Sequence, residues 1–542
     1  MSKKICILLF ISCCLSCAIK PPTIHTPYKI PQITVVGDSL QYFADNYIVK
    51  NTQGLWELYL SGNPYQLGLN SGALTQRLYH RQDSLLFAKL NEFVPSPRKQ
   101  WFLRKFIKWF NRDINRFVIP PFREELWGQA QYSDTLFNNI APPYARTLYL
   151  HSAHDLGHAL QDLMLVGCSS IAVWGDKTDD GQLLIGRNLD FYLSDDFATE
   201  KIIRFVRPAE GIPFMSYTWG GMIGVLSGMN LEGLTVTINA GKSTIPMKAR
   251  TPISLLCREI LQYAKNIDQA IAIAQKRKVF VSEAILVGSA ADRKAVLIEV
   301  SPKKFGVYEA PNAVLCTNHF QSAPYQNDKK HQQHIAHTHT AYRYAKLQEF
   351  IKEDTPFTPA KIAKVLRSTE GLQGAVLGYG NEKALNQLLA HHAVIFKPEE
   401  RLVWVSTAPY QLGTFVAYDL KKVFAEEQYP SHQAYPQTDL NIPADTFMYS
   451  KAYKDYERYR VLEHKIEHHL RNHTPLDITQ VAPITELNPH YWKAYYLLGC
   501  VYEEKGDAST AHSLFEKALQ CEIPYQEERQ AILKKIKNNV NP

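Results

Sequence analysis

From residue 169 onward, short apolar runs rich in β-branched residues alternate with turn residues, at 169–174, 182–186, 201–206, 233–239, 293–300, 313–317, 392–397 and 401–406. Runs of this length and type predict strands. Between them, apolar positions at helical spacing predict helices over 252–276 and 341–353. The part before residue 168 differs. Residues 32–60 mix short apolar runs with polar breaks, and helical periodicity follows at 67–90, 98–118 and about 145–165. The stretch from Pro430 to Pro443 breaks the pattern, and residues 449–542 read as all helix. Many strands with helices gathered in blocks predict layered α/β packing with largely antiparallel sheets, an α+β class.

One stretch carries unusual chemistry. Val166-Gly167-Cys168-Ser169-Ser170 begins a strand-like run, and Asp180-Gly181 leads into a second run that ends in Gly186-Arg187-Asn188-Leu189-Asp190. Asp-Gly between two such runs predicts a β-hairpin. Pairing would bring the Cys168 thiol, the Arg187 guanidinium and the Asp190 carboxylate together. A thiol is a weak nucleophile until deprotonated, and a neighbouring cation favours the thiolate. Cleavage between Gly167 and Cys168 would give Cys168 a free α-amine, whose ordinary pKa of about 7.7–8.0 suits a base near neutral pH. Asp190 would orient that amine.

Composition narrows the class. The 542 residues are 45% hydrophobic and 21% charged, which describes a globular chain with a sizeable core. The net charge of +8 is modest. No basic run with interleaved aromatics suggests a nucleic-acid partner. Lys3, Lys4 and the apolar run Ile5–Leu15 have the form of an export signal over residues 1–17. Cys14-Leu15-Ser16-Cys17 resembles a bacterial lipoprotein site, with Cys17 as the lipidated residue; an ordinary secretory signal is the alternative. The expected location is the cell envelope, as a lipid-anchored outer-membrane or periplasmic lipoprotein, with residues 18–31 as a tether. Five cysteines remain beyond the signal, and their spacing gives neither a disulfide framework nor a CxxC metal pair. Cys257, in a helical pattern, reads as core.

The motifs also resemble, in order, those of the acyl-CoA:6-aminopenicillanate acyltransferase-like N-terminal-nucleophile (Ntn) hydrolases, relatives of choloylglycine hydrolases and acid amidases. Gly62-Asn63-Pro64-Tyr65 with Ser71-Gly72, Gly167-Cys168-Ser169 and Gly186-Arg187-Asn188-Leu189-Asp190 carry the first half of the resemblance. Gly228-Met229-Asn230 through Asn239, Thr317-Asn318-His319, Arg343-Tyr344 and the run from His392 to Ala417 carry the second. Two positions depart from the pattern: Ser169 stands for the usual threonine and Ala341 for a serine. The resemblance implies an αββα sandwich cleaved before Cys168 into two chains. The would-be α chain is 32–167 and the catalytic core 168–428. It implies Cys168 as nucleophile, Arg187 and Asp190 as its activating pair, Asn239 and Asn318 at an oxyanion hole, and Arg343 as electrostatic support. No metal or organic cofactor is expected.

The activity so implied is thiol hydrolysis of a linear acyl amide, or transfer of its acyl group, through an acyl-Cys168 thioester. An ester or phospholipid deacylase on the same scaffold is one alternative. A non-catalytic lipoprotein that recruits a protein partner through its tail is another. After a linker at 429–448, that tail (449–542) resembles one tetratricopeptide repeat, with Trp492, Leu498-Gly499, Tyr502, Ala511 and Phe515 in order. Three further features have two readings each. The aromatic helix 98–118 either packs on the core or faces a membrane. His154 and His158 lie one helical turn apart, as packing residues or metal ligands. His331, His334, His337 and His339 could bind zinc or line an insertion.

Overall fold

The computed structural model describes residues 19–159, 166–191, 194–242, 248–353, 356–425 and 432–540. The expected signal, with Cys17, lies outside them, as do the side chains of His154 and His158.

Two sheets stack face to face. The larger has eleven strands and the smaller six, and the smaller places Val166–Val173 between Ala313–Cys316 and Leu184–Phe191, followed by His392–Lys397, Leu402–Ser406 and Phe415–Asp419. Every pairing in the smaller sheet is antiparallel. Side chains alternate across each strand, so each sheet has two distinct faces. Between the sheets lie Ala172, Ile185, Val394 and Phe396 from the smaller one and Phe205, Leu286 and Leu297 from the larger. Ile171, Val173, Ala393 and Ile395 point the other way, onto Leu347, Ile362 and Leu366 of helices Thr340–Glu353 and Pro359–Arg367. Helices Ile253–Tyr263 and Ile267–Lys276 cover the outer face of the larger sheet. The layering is helix, sheet, sheet, helix, the α+β sandwich that the sequence leads one to expect.

The N-terminal segment is woven into this core. Trp56–Gly62 pairs in parallel with Ile202–Pro208, the one parallel pair among the described strands. Through it, Thr34–Val36, Leu40–Phe43 and Asn46–Lys50 extend the larger sheet. Helix Pro120–Ala130 contributes Glu125, buried between Arg204 and Arg258 of the core. A buried carboxylate needs such partners, and removing one of them leaves an uncompensated charge.

Two expectations change in detail, and a third is met. The expected hairpin forms, but its connection between Val173 and Leu184 is a longer loop that adds a 3₁₀ turn at Gly175–Lys177 to the Asp180–Gly181 corner. Gly181 within it takes the left-handed backbone (φ 74°) that glycine adopts without strain. The helix Pro97–Phe110 does not pack its aromatic face on the core: only Phe110 is buried, while Trp101, Phe102, Phe106 and Trp109 are exposed. The last region is helical, at Lys451–Asn472, Trp492–Glu504, Ala508–Gln520 and Gln526–Val540. It packs around Leu388 and Leu412 of the core. No described helix is long and apolar enough to cross a membrane.

Candidate active site

The strand Val166–Val173, second from the edge of the smaller sheet, sets the geometry. Gly167 lies across the ladder from Asp190, Cys168 from Leu189 and Ser170 from Arg187. Directly opposed residues share a face, so Cys168, Ser170 and Arg187 look inward between the sheets, while Gly167 and Asp190 belong to the opposite face. On its other side the strand pairs Ser170 with Cys316. Asn318, two residues on, therefore comes alongside Cys168.

Arg187 is the inward hub. Its Nη2 lies 3.7 Å from Cys168 Sγ and donates to the Ile238 carbonyl at 2.6 Å, while Nη1 donates to Ser227 Oγ at 2.6 Å. Ser227 Oγ is in turn 2.9 Å from His392 Nε2. Burial raises the Cys168 thiol pKa, and the Arg187 charge works against that rise. The effect is a thiol held neutral by desolvation beside a cation that favours the thiolate.

Asp190 is fully buried, and neither carboxylate oxygen has a hydrogen-bond partner among the described residues. Desolvation pushes its pKa up to about 7, against the pull of Arg343 and Arg187. An unpartnered buried carboxylate is costly. Here it faces the residue before Cys168.

Asn318 Oδ1 accepts from the Cys168 backbone N–H at 3.0 Å and from Arg343 Nη2 at 2.6 Å. Arg343 Nη1 donates to the Cys168 carbonyl at 2.5 Å and to Ser169 Oγ at 2.9 Å. Asn239, on the facing sheet, accepts from Ser170 Oγ at 2.8 Å. The side-chain amides of Asn318 and Asn239 donate to the carbonyls of Ala240 (2.9 Å) and Cys316 (3.2 Å). Each –NH2 carries a second N–H. The six residues singled out in the sequence thus form one cluster on both sides of Cys168.

The structure adds residues that sequence patterns passed over. Gln387 covers Gly167 so closely that a Cβ there would meet its Nε2 at 2.7 Å. Adjacent His391 and His392 sit 2.8 Å apart through their Nδ1 atoms beside Arg187, and burial holds both neutral. The doublet stands plainly in the sequence but reads there only as a strand start. In the histidine-rich stretch, His331 and His334 face the backbone carbonyls of Phe320 and Asn318, and His339 Nδ1 accepts from Arg343 Nε at 2.9 Å. No group of three or more potential metal ligands forms among the described residues. All five described cysteines are free thiols, and Cys257 is core.

Residues 177–409 match the family described as acyl-coenzyme A:6-aminopenicillanic acid acyl-transferase. The resemblance read from the motifs holds over that region, which contains Arg187, Asp190, Asn239, Asn318 and Arg343 and begins just after Cys168. Among similar proteins, an N-acylethanolamine-hydrolyzing acid amidase of Caenorhabditis elegans is 26% identical over 217 residues, 38% of this chain and 57% of that protein. An uncharacterised protein of Archaeoglobus fulgidus is 25% identical over 283 residues, 48% of this chain and 46% of its own length. The chain therefore spans about half the length of these curated relatives. Among solved structures, the C. elegans acid amidase ortholog (19% identity, TM-score 0.31) aligns over 43% of this chain and 93% of its own. A conjugated bile acid hydrolase of Clostridium perfringens (12% identity, TM-score 0.32) aligns over 47% and 93%.

Proposed function

We propose that the protein is a self-processing thiol hydrolase or acyltransferase acting on a linear acyl amide, with Cys168 as nucleophile. The observation that carries this is the unpartnered, buried Asp190 carboxylate opposite Gly167. It is an acceptor with nothing to accept until a new cation appears beside it. Breaking the Gly167–Cys168 bond creates that cation, the Cys168 α-ammonium.

In the uncut chain, the Cys168 thiolate, favoured by Arg187, attacks the Gly167 carbonyl carbon. The C–N bond breaks, Gly167 becomes a thioester on Sγ, and the thiol proton ends on the departing Cys168 nitrogen. Water then hydrolyses the thioester, leaving a Gly167 carboxylate and a free thiol with its own α-amine. In the second reaction that amine takes the thiol proton and Sγ attacks the substrate carbonyl. The oxyanion is held by second N–H groups of Asn318 and Asn239, where donors aimed at developing charge contribute most. The amine product leaves, and water or another amine takes the acyl group. The name of the C. elegans relative points to N-acylethanolamine-like amides as the first substrates to try.

We further propose export and a lipid anchor at Cys17. Its support is the charged and apolar pattern of residues 1–17 and the position of the tether. The Lys20 carbonyl lies 3.4 Å from Asn115 Nδ2, just beyond the exposed aromatic helix Pro97–Phe110.

Intact mass and N-terminal sequencing of wild type beside Cys168→Ala test the central reading. A fragment starting at Cys168 in wild type, absent in the variant, supports it. A single uncut wild-type chain overturns it, and the binding-lipoprotein reading then leads.

A further inference from the structure

The C-terminal helices reach the nucleophile's surroundings by two routes. In the first, Tyr525, at the start of helix Gln526–Val540, places its hydroxyl 2.9 Å from His339 Nε2, with the two rings edge to face at 4.9 Å. The other nitrogen, Nδ1, faces Arg343 Nε at 2.9 Å. A guanidinium N–H can only donate, so Nδ1 must accept. The ring proton therefore sits on Nε2 and is donated to the Tyr525 oxygen. One tautomer satisfies all three groups. Arg343, held this way from behind, grips the Cys168 carbonyl, Ser169 Oγ and Asn318 Oδ1 in front.

In the second route, Asn381 Nδ2 donates to the Glu522 carbonyl at 2.8 Å, and Lys383 pairs with the Glu522 carboxylate at 2.5 Å. Between them, the Glu382 carbonyl accepts from Gln387 Nε2 at 3.2 Å. Gln387 is the side chain that lies on Gly167. Residues 522–525 thus stand behind both the nucleophile and the glycine before it.

We propose that the C-terminal helical region is a working part of the catalytic site: Tyr525 and His339 are positioning residues that lock Arg343 against Cys168 and Asn318. This rests on the reading of Cys168 as nucleophile. It also assigns the region a role different from a free partner-binding module.

The lock has a sign. An imidazolium at His339 could not accept from Arg343 and would repel it. The groups facing His339 are Arg343 on the helix that starts just after it, His334 on the preceding helix, Lys383, and Tyr525 with the buried carboxyls of Glu382 and Glu528 near it. Arg343, His334 and Lys383 disfavour the ring's positive charge, and burial does so most strongly. Removing the Tyr525 hydroxyl frees the ring to change tautomer or, with water admitted, to take a proton.

The test uses the full chain as wild type, Tyr525→Phe, His339→Gln and His339→Leu, with folding checked by thermal melting. Gln can accept from Arg343 and donate to Tyr525; Leu can do neither. Three quantities are measured: the rate of cleavage before Cys168, kcat and KM on an N-acylethanolamine between pH 5 and 9, and the alkylation rate of Cys168 by iodoacetamide. For Tyr525→Phe we expect cleavage and kcat to fall 5- to 20-fold with KM within twofold, and the acid limb of the kcat profile to move to higher pH. His339→Gln should keep at least a third of the wild-type rate, while His339→Leu should lose more than tenfold. Wild-type kcat and pH profile in Tyr525→Phe overturn the proposal, as do equal rates for the two His339 variants. If wild type neither cleaves nor turns over, the catalytic reading has failed, and alkylation decides the positioning alone. A Cys168 rate unchanged in Tyr525→Phe overturns it, and a change of threefold or more supports it.

Discussion

Asp190 is a single residue whose burial alone makes stability depend on pH. Its pKa of about 7 in the fold stands well above the roughly 3.9 of an unfolded aspartate. The folded state therefore binds this proton more tightly. The resulting stabilisation is fully present below about pH 4 and is lost as pH rises through about 7. In the uncut Cys168→Ala protein, Asp190→Asn should raise the melting temperature by a few degrees at pH 8 and little at pH 5. Melting curves that differ by the same amount at both pH values would refute this. Gly167 offers a second test. An added methyl would meet the end of the Gln387 side chain, so Gly167→Ala should fold yet cleave several-fold more slowly. Adding Gln387→Ala should restore the rate on a gel time course, and a double variant as slow as Gly167→Ala would count against steric interference.

At the scale of elements, what the sequence shows is what is local. Cys168, Arg187 and Asp190 stand on two neighbouring strands, and alternation with β-branched residues marks both. Ser227–Asn230 is a strand too, but Ser-Gly-Met-Asn has poor strand propensity and forms one by pairing with Thr235–Thr237. Glu283–Ser289 hides behind a buried glutamate and a glycine. Helix 97–110 is the opposite case: its periodicity is plain, yet the side it turns to solvent is the aromatic one. That helix carries Arg98, Lys99, Arg104, Lys105 and Lys108 and no acidic residue. Exposed aromatics framed by cations suit an anionic bilayer surface. A Cys17→Ser protein should still co-sediment with phosphatidylglycerol vesicles in low salt. Trp101→Ala/Phe102→Ala should lower that binding about tenfold without changing the melting temperature. Equal sedimentation of both proteins would exclude the helix as the contact.

For the whole molecule, the order of the strands explains why the site could be anticipated only in part. Cys168, Asn239, Asn318 and Arg343 come from four separated segments, and the order of their motifs resembles one family's pattern although periodicity shows no link between them. Gln387, His339 and Tyr525 have no such marker. Their contacts exist only once the stretch before His392 and the last helices are docked. The interleaving of the N-terminal segment leads to a further expectation. After cleavage the two chains should co-elute in gel filtration and separate only in denaturant, because strands 34–62 and Glu125 remain inside the shared core. Separation under native conditions would contradict the pairing described.

The parallel pair of Trp56–Gly62 with Ile202–Pro208 has one more consequence. Parallel neighbours need a long crossover connection, and the bond between Gly167 and Cys168 lies within it. The proposed cut there would keep the paired strands together but remove the covalent memory of how the halves were joined. Unfolding of the mature protein then releases two molecules where folding began with one, and the return path becomes bimolecular and concentration-dependent. The lifetime of the mature protein is governed by the height of the barrier out of the folded state. On the proposed self-processing, maturation would act as a ratchet: the chain would fold as a single thread and persist as a pair.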